Sequence, residues 1–582
     1  MDNAEFKSAD GDTVNVSAGT YVEDGIFGTH GWISQKAITW NATGVVIVKG
    51  TGAGVAALRT GTSKSASFNG FTLDAEGTRS NAAYLEDGAA NKMFNNVTFV
   101  GATQDLVNSS GTATNITITN STLTSSVATY MIYGKYTNLQ VTYSTFTVGG
   151  ATVAFQSPVG VSSITFDHNT FNLNSATSVI FTFIGTLTVT FTNNTLTGSI
   201  TTYLFFLYSN GSSYNFSGNT ITLDTSAFYT VIRLLDGGGS AGTFNLTNNN
   251  NITVTSTTNS PVINANGGVW AVNITGNTFS AQSLSQLQPV IGIDNQVSPI
   301  VSNNTIETLT TLAASQIMIT STAGVAGGVL QVTSNTLRSR NPTGYVIAIG
   351  TEGTTVNDNK LDGGLIEGNT IYGALYYDPT LVGVTTHAIF YGFNKNATVR
   401  YNKVYGDGYG VVIKANGMTY TSGGVYYNQF INSATAGIIV KGIQNATLYN
   451  NTIYTNSSIS GFDAGINIKS NGVGEVSAGT VSKNNIIYSL SGRLVYVEDA
   501  ASGVGFVSDN NLYYSWGGSN IGMISESVVA GNFAAWQAAG FDTHGVYADP
   551  LFINIGTSDY RLQRTSPAID IGVGLGFSRD QY

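Results

Sequence analysis

Cysteine is absent from the 582-residue chain, so neither disulfides nor thiolate metal sites are available to it. Histidine is nearly absent, and His30, His168, His387 and His544 lie too far apart in sequence to compose a recognisable metal motif. Charge is scarce as well. Only 10% of residues are charged, 23 basic against 33 acidic, and a net charge of −10 excludes the broad basic surface that a nucleic-acid partner requires. No apolar run reaches the roughly 18 residues that cross a membrane, and the polar start MDNAEFKSAD has no signal-peptide core. The expectation is a soluble chain, or the mature segment of something larger, with no membrane span.

What is present is a turn-rich and strand-rich inventory: 69 glycines, 11% aromatics, and a remainder filled largely by Asn, Thr and Ser. Good helix formers are few. The pattern reads as all-β with short strands and polar turns, and 42% hydrophobic residues suffice for a sizeable core. At this length the chain is several domains or one elongated repeat. Few charges with many hydroxyls and amides suit an extracellular or cell-surface setting. Asn-x-Ser/Thr triplets are numerous, but this composition produces them by itself, so they carry no weight.

A repeat decides between the two. The pattern apolar-x-x-Asn-x-apolar recurs in FDHNTF, FTNNTL, FSGNTI, ITGNTF, VSNNTI, VTSNTL, VNDNKL, VRYNKV, VYYNQF, LYNNTI, VSKNNI and VSDNNL. Its key residues are Asn169, Asn194, Asn219, Asn277, Asn304, Asn335, Asn359, Asn402, Asn428, Asn451, Asn484 and Asn510, with a further turn near Asn249. The degenerate copies FNGFTL, FNNVTF, ITNSTL and VTYSTF carry the period back to about Phe68. A period near 25 residues without helix is the mark of a β-solenoid, here of about 17 rungs, in which each unit buries its apolar face only by stacking on its neighbours. The Asn then sits at a tight corner, where it can adopt unusual backbone angles, and bonds through its side-chain amide to the Asn of the next rung, forming a buried ladder.

With this repeat the chain resembles the right-handed parallel β-helix proteins of the pectate-lyase-like superfamily, in their bacterial extracellular form. GDTVNVSAGTYVE, from Gly11 to Glu23, is similar to the strand and turn that open many such helices. DTHGVYADPLFINIGTSDYRLQRTSPAIDIG, from Asp542 to Gly572, resembles a closing segment of bacterial members. Just before it, GNFAAWQAAG reads as a short helix with Asn532 as N-cap and Gly540 at its end. The resemblance implies a single-stranded right-handed parallel β-helix over 61–515, an N-terminal cap with the first strands over 1–60, and a C-terminal capping segment over 516–582. In the family the closing segment often runs on, so a fragment of a longer protein is one expectation.

This scaffold carries lyases, hydrolases, epimerases, tailspikes and non-catalytic surface proteins, so function needs its own argument. Polygalacturonase-like members use paired Asp residues and a Gly-His-Gly element; neither occurs here, and that hydrolase activity is not expected. Pectate lyases carry Arg-x-Pro-x-x-Arg, whereas RSRNPTG at Arg338 to Gly344 has another spacing and reads as a turn. Asp358, Asp362 and Glu367 are hard oxygen donors that a calcium ion would accept, but solvated turn residues are the favoured reading, and no cofactor or metal is expected.

Charge placement is more informative. Between Lys135 and Arg338 the one basic residue is Arg233, whereas Arg338 to Lys483 holds 10 of the 23 basic residues and a dense set of tyrosines. Aromatic faces beside cations and amides suit sugar rings and uronates. GVVIK, GIIVK and GINIK place Lys414, Lys441 and Lys469 at steps of 27 and 28 residues, one rung apart, so strand alternation stacks them in an outward column. One reading is a solvated face with Asp463, Glu475 or Glu498 as counter-charges. The other is a site for an anionic chain, in which Lys441 and Lys414, with Arg400 and Tyr420, carry catalysis, while Lys469, Tyr376, Tyr377, Tyr426 and Tyr427 bind substrate. Two functions remain open: a surface protein of adhesin-like or structural kind contacting polysaccharide or cell-surface glycan, and a lyase of a uronate polymer using a Lys base, as some members of the superfamily do.

Overall fold

The computed structural model describes all residues except 24–29, 51–55, 62, 78–79, 126, 151, 159–161, 177–179, 225–229, 239, 259–260, 285–287, 295, 310–314, 321–329, 351–362, 393–395, 457–463, 473, 491–492, 517–520, 526 and 578–582. The chain divides into two compact units, Met1–Gln282 and Ser283–Tyr582. Both are wound as a right-handed parallel β-solenoid, about 16 turns in all. Each turn contributes one strand to each of three parallel sheets. In the first unit one turn runs through Ser162–Asp167, Thr170–Ala176 and Phe181–Phe183, and the next through Leu187–Thr192, Thr195–Ile200 and Tyr203–Tyr208. Register is strict where strands pair, with Phe166 beside Phe191 and Phe191 beside Phe216. Strand alternation explains the burial: in Leu187–Thr192 the residues Leu187, Val189 and Phe191 point inward and the threonines outward. Parallel pairing already joins Thr13–Glu23 to Thr39–Gly50.

The asparagine ladder occupies the corner between the first and second sheets. Asn169, Asn194, Asn219, Asn250 and Asn277 in the first unit are at most 2% exposed. Asn169 donates from its backbone N–H and from Nδ2 to Oδ1 of Asn194, at 2.9 and 3.0 Å, and a second Nδ2 bond reaches the Val141 carbonyl at 2.8 Å. The degenerate copies share the position: Ser121 N–H donates to Ser144 Oγ, and Ser144 N–H to Asn169 Oδ1. In the second unit the ladder runs through Asn304, Asn335, Asn369, Asn402, Asn428, Asn451, Asn485 and Asn511. It ends on Asp542, whose Oδ1 accepts from Asn511 Nδ2 at 2.8 Å while Oδ2 accepts from Tyr513 and Trp536. A carboxylate accepts without donating, so it closes the ladder without needing a further rung.

Three details differ from the sequence reading. Asn359 lies outside the described residues, and Asn369 holds the ladder position of that turn. In the last two copies the buried residues are Asn485 and Asn511 instead of Asn484 and Asn510. Ser482 and Ser508 take the inward position there and accept from the ladder amides, so the apolar Val481 and Val507, on which the pattern is counted, face outward. Finally, the left-handed backbone belongs to the residue before the ladder Asn: His168, Asn193, Tyr401, Tyr427 and Asn450 have φ between 54 and 57°. The helix Phe533–Ala538 forms as expected, with the Asn532 side chain accepting from Ala535 N–H at 2.9 Å. Its Trp536 ring packs so tightly on Gly522 that any side chain there would overlap it.

Candidate functional site

The third sheet of the second unit includes Tyr345–Ile349, His387–Gly392, Tyr409–Thr419, Ala436–Gln444, Ala464–Lys469 and Arg493–Val497. Ile389, Val411, Ile438 and Ile466 form an inward column. The outer face carries three columns, of which the second and third follow strand alternation and the first lies outside it. Tyr345, His387 and Tyr409 make the first; Phe390, Val412 and Ile439 the second; Gly392, Lys414, Lys441 and Lys469 the third. The lysines therefore stack in register on consecutive turns.

These columns enclose a cavity of about 340 Å³. Val412 and Ile439 floor it, the three lysines form one wall, and Tyr345, His387 and Tyr409 form the other. The aromatic wall is a continuous stack, with His387 lying 5.1 Å from Tyr345 and 4.6 Å from Tyr409, centroid to centroid, at interplanar angles of 29 and 17°. Lys414 is only 6% exposed, its stem lying along the apolar floor. At the far end Lys469 Nζ stands 3.6 Å from Glu498 Oε2. Of the other proposed counter-charges, Glu475 accepts instead from Asn471 Nδ2 at 2.8 Å, and Asp463 lies outside the described residues. Nearby, Asp407 is fully buried, and neither carboxyl oxygen has a hydrogen-bond partner among the described residues. Burial pushes its carboxyl well above the usual carboxylate range.

The structure brings together Lys414, Lys441 and Lys469 but not the remaining candidates. Arg400 is on the first sheet, where Nε and Nη2 donate to Glu367 Oε2 at 3.0 and 2.8 Å and the guanidinium lies over Tyr401. The same pairing occupies Glu367, and Asp358 and Asp362 lie outside the described residues. Tyr420 is 4% exposed and does not line the cavity. Tyr376 and Tyr377 end a short helix, Ala374–Tyr377, that follows the second sheet; Arg340 lies over Tyr377, and Tyr376 lines another cavity. Tyr426 and Tyr427 are on and just after the first sheet, both in ring contact with Phe577 of the C-terminal tail. That tail is pinned by the turn residues, since Asn484 Nδ2 donates to the Val573 carbonyl and Asn510 Nδ2 to that of Ile571.

His387 and Tyr345 are the site residues that the sequence reading missed, and the register holds the signal for them. Tyr409 precedes Lys414 by five positions, His387 precedes Gly392 by five, and Tyr345 precedes Gly350 by five, so the repeat that aligns the lysines also aligns the rings. Chemically the cavity offers the edges of a ring stack on one side and ammonium groups on the other, a combination that suits a polar ligand bearing a negative charge. No protein-family model matches the chain, and no curated protein matches it at a significant level.

Proposed function

We propose that this is an extracellular or cell-surface β-helix protein that binds an anionic polysaccharide, with the Lys414–Lys441–Lys469 cavity as its site. The observation that carries the reading is the pairing of a three-lysine column with a three-ring aromatic wall across an apolar floor. Lysines on adjacent strands at about 4.8 Å repel by roughly 1 kcal/mol per pair in water and by about 3 to 4 at an effective dielectric of 20. A chain carrying one carboxylate per sugar offsets that repulsion, while the polar edges of Tyr345, His387 and Tyr409 meet the sugar hydroxyls. The compositional bias toward hydroxyls and amides and the resemblance to the pectate-lyase-like superfamily support the same reading.

The test is calorimetric titration with oligomers of galacturonate, mannuronate, guluronate and glucuronate. Binding by at least one is expected, weakening as salt rises because exposed ion pairs are screened. Lys441→Gln should lower affinity about tenfold, near 1.4 kcal/mol, and Lys414→Gln with Lys441→Gln should lower it further. Affinity indifferent to both substitutions would overturn the reading.

A second reading, a polysaccharide lyase, is favoured by Lys441, His387 and Tyr409 sharing the cavity. In β-elimination a base takes the proton α to the carboxylate, the glycosidic C–O bond breaks as the C=C bond forms, and the leaving oxygen is protonated. Ultraviolet absorbance from the unsaturated product, abolished by Lys441→Gln, is its signature; binding without such absorbance leaves the non-catalytic reading.

A further inference from the structure

The second sheet of the same unit carries another outward column. On successive turns it reads Tyr372, Tyr405, Ile431, Tyr454, Tyr488 and Tyr514. The far part of this stripe is covered by the chain itself, because the hairpin of Phe552–Asn554 and Asp559–Leu562 lays Phe552 and Tyr560 against Tyr454 and Tyr488. The cover stops before Tyr405. Where it stops there is a cavity of about 290 Å³, and no charged side chain among the described residues lines it.

Its walls are the four phenols Tyr376, Tyr405, Tyr454 and Tyr560, with Asn432 and Ser558 as polar groups. Tyr376 is 51% exposed and forms the open side, while Tyr454 and Tyr560 are 9% and 7% exposed. Asn432 sits at a bulge, since one residue more lies between Ile431 and Ser433 than between their partners Tyr454 and Thr455, and its φ is 58°. A bulge of this kind turns a side chain out of the strand alternation, here onto the cavity wall. Arg338 lies over Tyr372 and Arg340 over Tyr377, and Lys403, two residues before Tyr405 on the same strand, does not line the cavity.

We infer that this cavity is a second glycan site, specific for an uncharged pyranose. Its size lies at the low end of small-molecule pockets, roughly 300 Å³ and upward, which suits one or two sugar rings. Aromatic faces take the C–H side of such a ring and the amide and hydroxyls its edge, whereas a uronate would lose its hydration with no cation to meet it. An aliphatic ligand would leave the Asn432 amide facing it unmet. The site differs in charge from the lysine cavity and does not depend on it. One corner, Gly406–Asp407–Gly408, separates Tyr405, which lines the uncharged cavity, from Tyr409, which lines the charged one.

The experiment is saturation-transfer NMR with titration calorimetry on the full chain, using cellohexaose, xylohexaose and mannohexaose as probes. At least one should bind, with an affinity that holds within about twofold between roughly 50 and 500 mM NaCl, since no ion pair is made. Tyr376→Ala should weaken it at least tenfold. Tyr376 is half exposed, so this variant should keep the fold, and far-ultraviolet dichroism checks it. Asn432→Gly, which keeps the positive φ and removes only the amide, should weaken binding several-fold. Lys441→Gln should leave it unchanged. The inference is overturned if none of the three sugars binds, if binding ignores Tyr376→Ala and Asn432→Gly, or if it falls with Lys441→Gln, which would place the sugar among the lysines.

Discussion

In Met1–Gln282 the first two sheets turn rings such as Phe166, Phe171 and Phe191 inward; in Ser283–Tyr582 the same sheets carry outward columns of tyrosine, while Phe430 and Tyr513 stay inward. The first unit is threaded by phenylalanines, with Phe205 lying 4.8, 5.2 and 5.0 Å from Phe181, Phe191 and Phe216. Its outward positions on those sheets are polar, as in the rows Thr190, Asn215, Asn245 and Asn172, Thr197, Thr222. In the second unit the inward positions hold aliphatics such as Ile371, Val404, Ile453 and Ile487, and the rings of Tyr372, Tyr405, Tyr426 and Tyr449 lie outside. The winding is the same in both. A solenoid turn therefore needs only inward apolar residues and the corner amide, and which apolar residue stands where is free to serve the surface. Rings inside are packing; rings outside in register are open to a ligand.

The largest effect that tests this contrast is loss of an inner ring. Phe205→Ala should lower stability by about 3 to 5 kcal/mol through lost burial and the cavity left behind. Tyr409→Ala, at a partly buried position, should cost less than Phe205→Ala, yet weaken uronate binding. Urea unfolding midpoints compare the two, and equal losses would break the distinction between inner and outer rings.

Intermediate effects are expected from the ladder, the device common to both units. Asn219 and Asn428 are each at most 1% exposed and bonded to the next rung in the same way. Asn219→Leu and Asn428→Leu should each cost about 1 to 3 kcal/mol by stranding neighbouring amides, while Thr222→Leu, at an exposed position three residues from Asn219, should cost little. A large loss in one unit and none in the other would show that the two do not rest on the same corner.

Much of this architecture is legible in sequence because one ladder residue per turn recurs against a polar background. The lysine column is legible for the same reason: once the turn length is known, GVVIK, GIIVK and GINIK fix the register. Legibility fails where turns are irregular or where contacts are distant. Between Tyr345 and His387 the turn carries the helix Ala374–Tyr377, which hides the equivalence of those two rings. Ser482 and Ser508 replace the apolar residue on which the pattern is counted, which shifts Asn485 and Asn511 by one. Tyr426 and Tyr427 read as a free sugar platform, but Phe577, some 150 residues later, packs on both, and no local pattern announces that.

The smallest expected effect sharpens the contrast most, because it separates a column that binds from one that is merely solvated. Lys469 and Glu498 are partly exposed, 25% and 39% by side chain, and their 3.6 Å separation is long for an ion pair. Such a surface pair contributes about 0 to 1 kcal/mol, so Glu498→Gln should hardly move the unfolding midpoint. Its effect on binding should have the opposite sign to that of the lysine substitutions. Removing the acidic group paired with Lys469 strengthens the field felt by an anionic ligand, so uronate affinity should rise a few-fold at low salt, with the gain fading as salt screens it. The first unit supplies the control in Lys49 and Glu76, paired at 2.7 Å with similar exposure but not lining the lysine cavity. Glu76→Gln should leave uronate affinity where it was. If Glu498→Gln weakens binding, or if both acidic substitutions change affinity alike, the ligand is not held by the column, and the three lysines are a solvated face like the threonine rows of the first unit.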